Sequence, residues 1–123
     1  MTFEEVRLKL AAALAPVADD DPYVHLELPD ALVPPCLLLS WDEPWLDEVN
    51  VCNGFAAPVV VAVAGRLVPG AGMTVLETMV QDALRKVRTT GMGVRQVGGP
   101  RVFEMAGVTY LAARITLRVP VTF

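Results

Sequence analysis

Few residues in this chain are equipped for chemistry. It holds one histidine, His25, and two cysteines, Cys36 and Cys52. A hydrolase built on His25 would need a nucleophile elbow, and Ser40, the candidate nucleophile, sits in "LLSWD" rather than in G-x-S-x-G. Basic charge is also scarce. Ten Lys and Arg stand against fourteen Asp and Glu, a net charge of −4, whereas a grip on phosphate backbones needs a basic patch. No apolar run reaches the roughly 18 residues of a membrane-spanning helix. The longest, "APVVVAVAG", reads as a buried strand. The opening "MTFEEVRLKL" carries two acids and no apolar core, which is not the pattern of a signal peptide. Two cysteines without a secretion signal read as reduced, buried thiols in a protein made in the cytosol.

Apolar residues, in contrast, are abundant, at 54% of the chain, above the usual roughly 45–50%. A chain of 123 residues is expected to form one domain over 1–123 and to bury roughly two thirds of its unfolded surface without a disulfide or metal staple. The apolar surplus points to surface buried against other protein subunits.

Thr2-Phe3-Glu4-Glu5 has the form of a capping box, and Phe3, Val6, Leu10, Leu14 and Val17 recur at helical spacing. A first helix is predicted over 3–15, stopping near Pro16, followed by a solvated loop, "ADDDP". Alternation in "YVHLEL" predicts a strand over 23–28, "PDALVPP" a loop, and "CLLLSW" a strand over 36–41 buried on both faces. "DEPWLDEVNVCNG" reads as an irregular acidic loop. β-Branched residues in 58–68 predict the next strand. A second helix follows, with Thr74 and Glu77 as a capping box and Leu76, Met79, Val80, Ala83, Leu84 and Val87 on one face. Arg85, Lys86 and Arg88 suit its C-terminal dipole, and Gly91 its stop. "RVFEM" and "VTYLAARITLRVPVTF" flank Ala106-Gly107 as a hairpin. The predicted order is α-β-β-β-α-β-β, an α+β fold with a mainly antiparallel sheet and two principal helices packed on it.

Two short motifs imitate ligand sites. His25-x-Glu27 with Pro35-Cys36 has the look of a zinc deaminase, but the position three residues past Cys36 is Leu39. Cys52 falls outside the spacing of a zinc clip, so no metal site is expected and Cys36 reads as a small core residue. "GAGMTV" imitates a dinucleotide turn, yet Val75 stands where the third glycine belongs and no acid follows about twenty residues on. No cofactor and no catalytic residue are expected. Asp42, Glu43, Asp47 and Glu48 read as solvated acids rather than as an acid–base pair.

One pattern carries a binding expectation. Trp41, Asp42, Glu43, Trp45, Asp47 and Glu48 combine acids with two tryptophans, which bury large area with few rotors. Arg114 and Arg118 alternate with Ile115, Leu117 and Val119 in the final strand. Either they line a wet sheet face beside the subunit's own acids, or they meet the acids of a neighbouring subunit.

The amphipathic first helix, "PPCLLLSWDEPWLDE", "GRLVPGAG", "LETMVQDALRKV" and the tail "GGPRVFEMAGVTYLAARITLRVPVTF" together resemble the tail terminator (tail completion) proteins of long-tailed bacteriophages. The best-matching parts are residues 66–72, the second helix and the hairpin around 107–111. The resemblance implies an α+β subunit of a ring, typically a hexamer, at the head–tail junction of a virion. Such a ring caps the tail tube, ends its polymerisation and docks the head-completion or connector protein. DNA passes through the lumen without tight binding, which an acidic chain favours, and no membrane is involved. A neighbouring neck or head-completion protein, or a small-molecule-binding α+β domain, are the alternatives.

Overall fold

The computed structural model describes residues 1–17, 21–27, 29–68, 70 and 72–123. Its elements are α1 (Phe3–Leu14), β1 (Tyr23–His25), β2 (Cys36–Glu48), β3 (Asn53–Arg66), α2 (Met73–Arg88), β4 (Gly93–Val97), β5 (Arg101–Met105) and β6 (Val108–Thr122). The fold is α+β. One six-stranded sheet runs β1-β2-β3-β6-β4, with β5 also paired to β6, and only the β1–β2 pairing is parallel.

α1 begins where its capping box directs. The Thr2 hydroxyl accepts the Glu5 amide at 3.2 Å, and the Glu5 carboxylate accepts the Thr2 amide at 3.3 Å. Val6, Leu10 and Leu14 form its buried stripe. Pro16 ends it by forcing Ala15 into an extended conformation, ψ 138°. Val17 therefore lies beyond the helix and is exposed, not part of its apolar face.

α2 departs from expectation at its start. Gly72, in the left-handed region at φ +94°, takes the N-cap position, and no side chain caps the helix. Thr74 instead lies inside the first turn, where its carbonyl accepts the Thr78 hydroxyl. Its inward face is as predicted: Leu76, Met79, Ala83 and Val87 are buried, and Val80 and Leu84 pack half-buried against the same core. Gly91 follows at φ +76°.

Both helices cover one face of the sheet. Their buried residues pack on Leu37, Val60, Ala62, Ala113, Ile115 and Leu117, and each fully buried Leu or Val contributes roughly 1.5–3 kcal/mol. The opposite face carries a smaller cluster of Leu32, Cys36, Leu38, Val59, Val61, Val63, Tyr110 and Ala112. The two clusters explain why 36–38 and 59–63 are apolar at every position: these strands are buried on both sides.

Several boundaries differ from the sequence reading. β1 spans three residues, and Leu28 of the predicted strand lies outside the described residues, as do Asp19 and Asp20 of the acidic loop and Pro69 and Ala71 of the glycine turn. Residues 42–48, read as a loop, continue β2 against β3, with four residues bulged between the Trp41–Pro58 and Leu46–Ala56 pairs. β3 accordingly starts at Asn53. An additional strand, β4, precedes the hairpin. The hairpin turns on Ala106 and Gly107 at φ +52° and +77°, the two positive values a tight two-residue turn requires. Cys36 is buried, but Cys52 is exposed in the turn after β2.

Candidate subunit interface

The second half of β2 places all six predicted β2-side residues on one stretch of edge strand. β1 pairs only with Cys36, Leu37 and Leu38. Beyond Leu38 the outer edge of β2 meets no described strand, while its inner edge follows β3. Gly54 lets β2 and β3 close tightly there: a Cβ on it would lie 2.7 Å from the Asp47 carbonyl oxygen.

The tryptophans are held from the helix side. Phe3, fixed at the capped start of α1, meets Trp41 edge-on at 5.3 Å between ring centres and Trp45 at 5.6 Å. The two indoles lie 5.4 Å apart at 30°. In a regular strand, residues four apart would be separated by two pleats; the bulge folds them together. Trp41 is half-buried, whereas Trp45 leaves 52% of its surface in solvent. A large, immobilised, half-exposed aromatic is the kind of group that anchors a protein contact.

The acids divide into two sets. Asp42 is inward-leaning: its Oδ1 accepts the Glu43 amide at 2.9 Å and the Arg114 guanidinium at 3.3 Å. That ion pair spans β3, because Arg114 sits opposite Val61 and Ser40 opposite Val59. Glu43, Asp47 and Glu48 are exposed and form no salt bridge among the described residues.

The two arginines are engaged within their own chain. Arg114 pairs with Asp42, and the Arg118 guanidinium carbon lies 3.7 Å above the Phe55 ring, a cation–π contact. Between them Thr116 is 3% exposed, so this strand face is not the uniformly wet surface that alternation predicts. Arg114 and Trp45 are also on opposite sheet faces.

Sequence reasoning missed the charge on the far side of the sheet. β4 and β5 run end to end along β6, bridged where the Gly98 amide donates to the Arg114 carbonyl at 2.8 Å. Their outer edge is unpaired among the described strands and carries Arg95 and Arg101, both exposed, with Val97 and Val102 at 44% and 63% exposure. Nothing local in "GVRQVGGPRVF" marks it as a sheet edge; only the strand order does.

The residues of the zinc-like motif are dispersed. His25 meets Tyr23 edge-on at 4.7 Å between ring centres, Glu27 lies past the end of β1, and Cys36 faces the smaller core, where burial pushes its thiol up to about 11. Among the described residues no group of three metal-ligating side chains comes together. A cavity of about 400 Å³ beside α1 and β2 is lined by Arg7, Glu27, Ser40 and Trp41 among mostly apolar neighbours. No protein-family model matches the chain, and a search of curated proteins returns no match.

Proposed function

We propose that the chain is a structural subunit of a phage tail terminator, a hexameric ring at the head–tail junction that caps the tail tube and receives the connector. The observation that carries this reading is the exposed Trp45, clamped by Phe3 and Trp41 and bordered by the exposed acids Glu43, Asp47 and Glu48, which form no salt bridge among the described residues. It is a rigid aromatic anchor with a charged rim, the anatomy of a protein–protein contact. We further propose that DNA passes through the lumen without tight binding, a reading that the net charge of −4 supports.

The test is native mass spectrometry across a range of concentrations, with negative-stain imaging of whatever assembles. A closed ring is the expected result, and a monomer at every concentration overturns the proposal. Labelled virions then separate a tail terminator from a head-completion protein by position. The cavity beside Arg7 favours a second reading, a small-molecule-binding domain. A ligand present at a hundred times its Kd would raise stability by roughly 2.7 kcal/mol in a thermal-shift screen.

A further inference from the structure

One half-buried cation in the fold lacks a counter-charge. Arg7 lies one turn beyond Phe3 on α1, and it forms no salt bridge among the described residues. Its Nε is buried without a hydrogen-bond partner, the only buried side-chain nitrogen or oxygen among the described residues in that condition. Its two Nη groups are also unpartnered, but they remain accessible. A guanidinium stripped of water on one side and unpaired on the other holds an anion more tightly than a fully hydrated one, because part of its desolvation has already occurred on folding.

Arg7 borders the cavity of about 400 Å³ beside α1 and β2. The cavity lies where β1 leaves the sheet. β1 pairs with β2 as far as Leu38, and the chain continues as Leu26 and Glu27, which line one side. Leu10, Leu39 and Trp41 contribute from the helix-side core, and Leu38, Val61 and Phe103 from the smaller cluster, so apolar groups wrap the open edge of β2. Besides Arg7, the polar side chains of the lining are Ser40 and Glu27, both exposed. Glu27 does not pair with Arg7. The volume falls within the roughly 300–1,000 Å³ of small-molecule sites, where apolar walls hold the body of a ligand and a few polar groups fix its head.

We propose that this cavity binds a small apolar monocarboxylate, with its head group on the Arg7 Nη pair and its hydrocarbon body against the leucines and Trp41. The inference rests on the small-molecule reading of the cavity above and is independent of whether the chain forms a ring. A carboxylate suits the guanidinium because its two oxygens match the planar fork with two parallel charge-assisted bonds. Glu27 selects against a doubly charged head such as a phosphate, whose second charge would face repulsion with no second cation in the lining. The apolar walls select against a polar body such as a sugar, whose hydroxyls would lose water without gaining partners.

The experiment titrates phenylbutyrate into the full chain, with phenylbutanamide as its neutral counterpart. Affinities are read from NMR shifts of the Leu26, Leu39 and Ser40 amides, which also locate the ligand. The carboxylate is expected to bind at least tenfold more tightly than the amide, the worth of a hydrogen bond to a charged group. Arg7→Gln should abolish that advantage and leave the amide's affinity unchanged. Glu27→Gln should tighten the carboxylate and not the amide. Circular dichroism melts verify that both variants fold. Equal affinities of acid and amide in the parent, or an advantage of the acid that survives Arg7→Gln, overturn the carboxylate proposal and leave the cavity reading standing. If Arg7→Gln does not fold, an acid affinity unmoved both by Glu27→Gln and by added salt overturns it instead. If neither compound shifts these amides, both readings are overturned.

Discussion

Asp42 and Arg114 are joined across β3 at 3.3 Å, with 25% and 41% of their side-chain surfaces exposed. At that distance two unit charges attract by about 1.3 kcal/mol in water and by about 5 kcal/mol at an effective dielectric near 20. Ordering the arginine and stripping water from the carboxylate oppose that attraction, by up to about 2 kcal/mol for an immobilised arginine side chain. A net coupling of about 0.5–1.5 kcal/mol is expected, at or slightly above the upper end for exposed pairs. A double-mutant cycle with Asp42→Ala, Arg114→Ala and the double variant isolates it, since the loss of the Asp42 bond to the Glu43 amide occurs on both sides of the cycle and cancels. Urea unfolding followed by fluorescence of Trp41 and Trp45 gives each stability, at protein concentrations low enough that assembly does not add to it. Repeating the cycle in 1 M salt, where screening acts within about 3 Å, should shrink the coupling. A coupling of zero at low salt would refute the intrachain pair, and a defect of Arg114→Ala seen only in assembly would return Arg114 to the subunit contact.

Leu10→Ala should destabilise by about 2–5 kcal/mol, the removed carbons alone accounting for roughly 2.4, because Leu10 is 1% exposed; Leu8→Ala, at 50% exposure, should stay within about 0.5 kcal/mol in the same urea assay. Gly54→Ala drives a Cβ to within 2.7 Å of the Asp47 carbonyl oxygen, so a loss of about 1–3 kcal/mol and a changed Trp45 emission are expected, and an unperturbed variant would mean the two strands close less tightly. Burial pushes the Cys36 thiol from 9.0 to about 11. The folded state thus keeps a proton that the unfolded chain releases first, and stability present in full below pH 9 falls as pH rises toward 11, by roughly 2–3 kcal/mol. Cys36→Ala should flatten that decline, and a thiol reagent should label exposed Cys52 at once and Cys36 only on unfolding.

The sequence was most readable where one local interaction decides the structure. Thr2 and Glu5 cap α1 as their spacing implies, the stripe from Leu76 to Val87 defines the face of α2, and Ala106-Gly107 turns the final hairpin. Legibility failed where a distant partner decides. Residues 42–48 hold Pro44 and four acids, a loop composition, yet pairing with 54–58 makes them a strand. Thr74 has a capping residue's chemistry, but Gly72 reaches the positive φ that starts the helix earlier. The same distinction runs through the candidate interface. The acids and tryptophans of β2 stand out in sequence, while the pairing of Arg114 with Asp42 and the edge position of Arg95 and Arg101 exist only once the strand order is known.

β6 is flanked on one side by β3 along most of its length and on the other by β5 and then β4. It is also the last element in chain order. A nascent chain that has completed everything up to β5 can pair β1, β2 and β3 but leaves β4 and β5 without a partner and one edge of β3 open: Val59, Val60 and Val61 wait for Thr116, Ile115 and Arg114. Non-local pairing of this kind slows folding, and during the wait "PVVVAVA" presents an apolar, uncharged edge of the type that joins other chains. Synthesis of β6 ends that exposure by covering β3, β4 and β5 together, so truncation or slippage within 108–122 should release an aggregating chain rather than a smaller folded one.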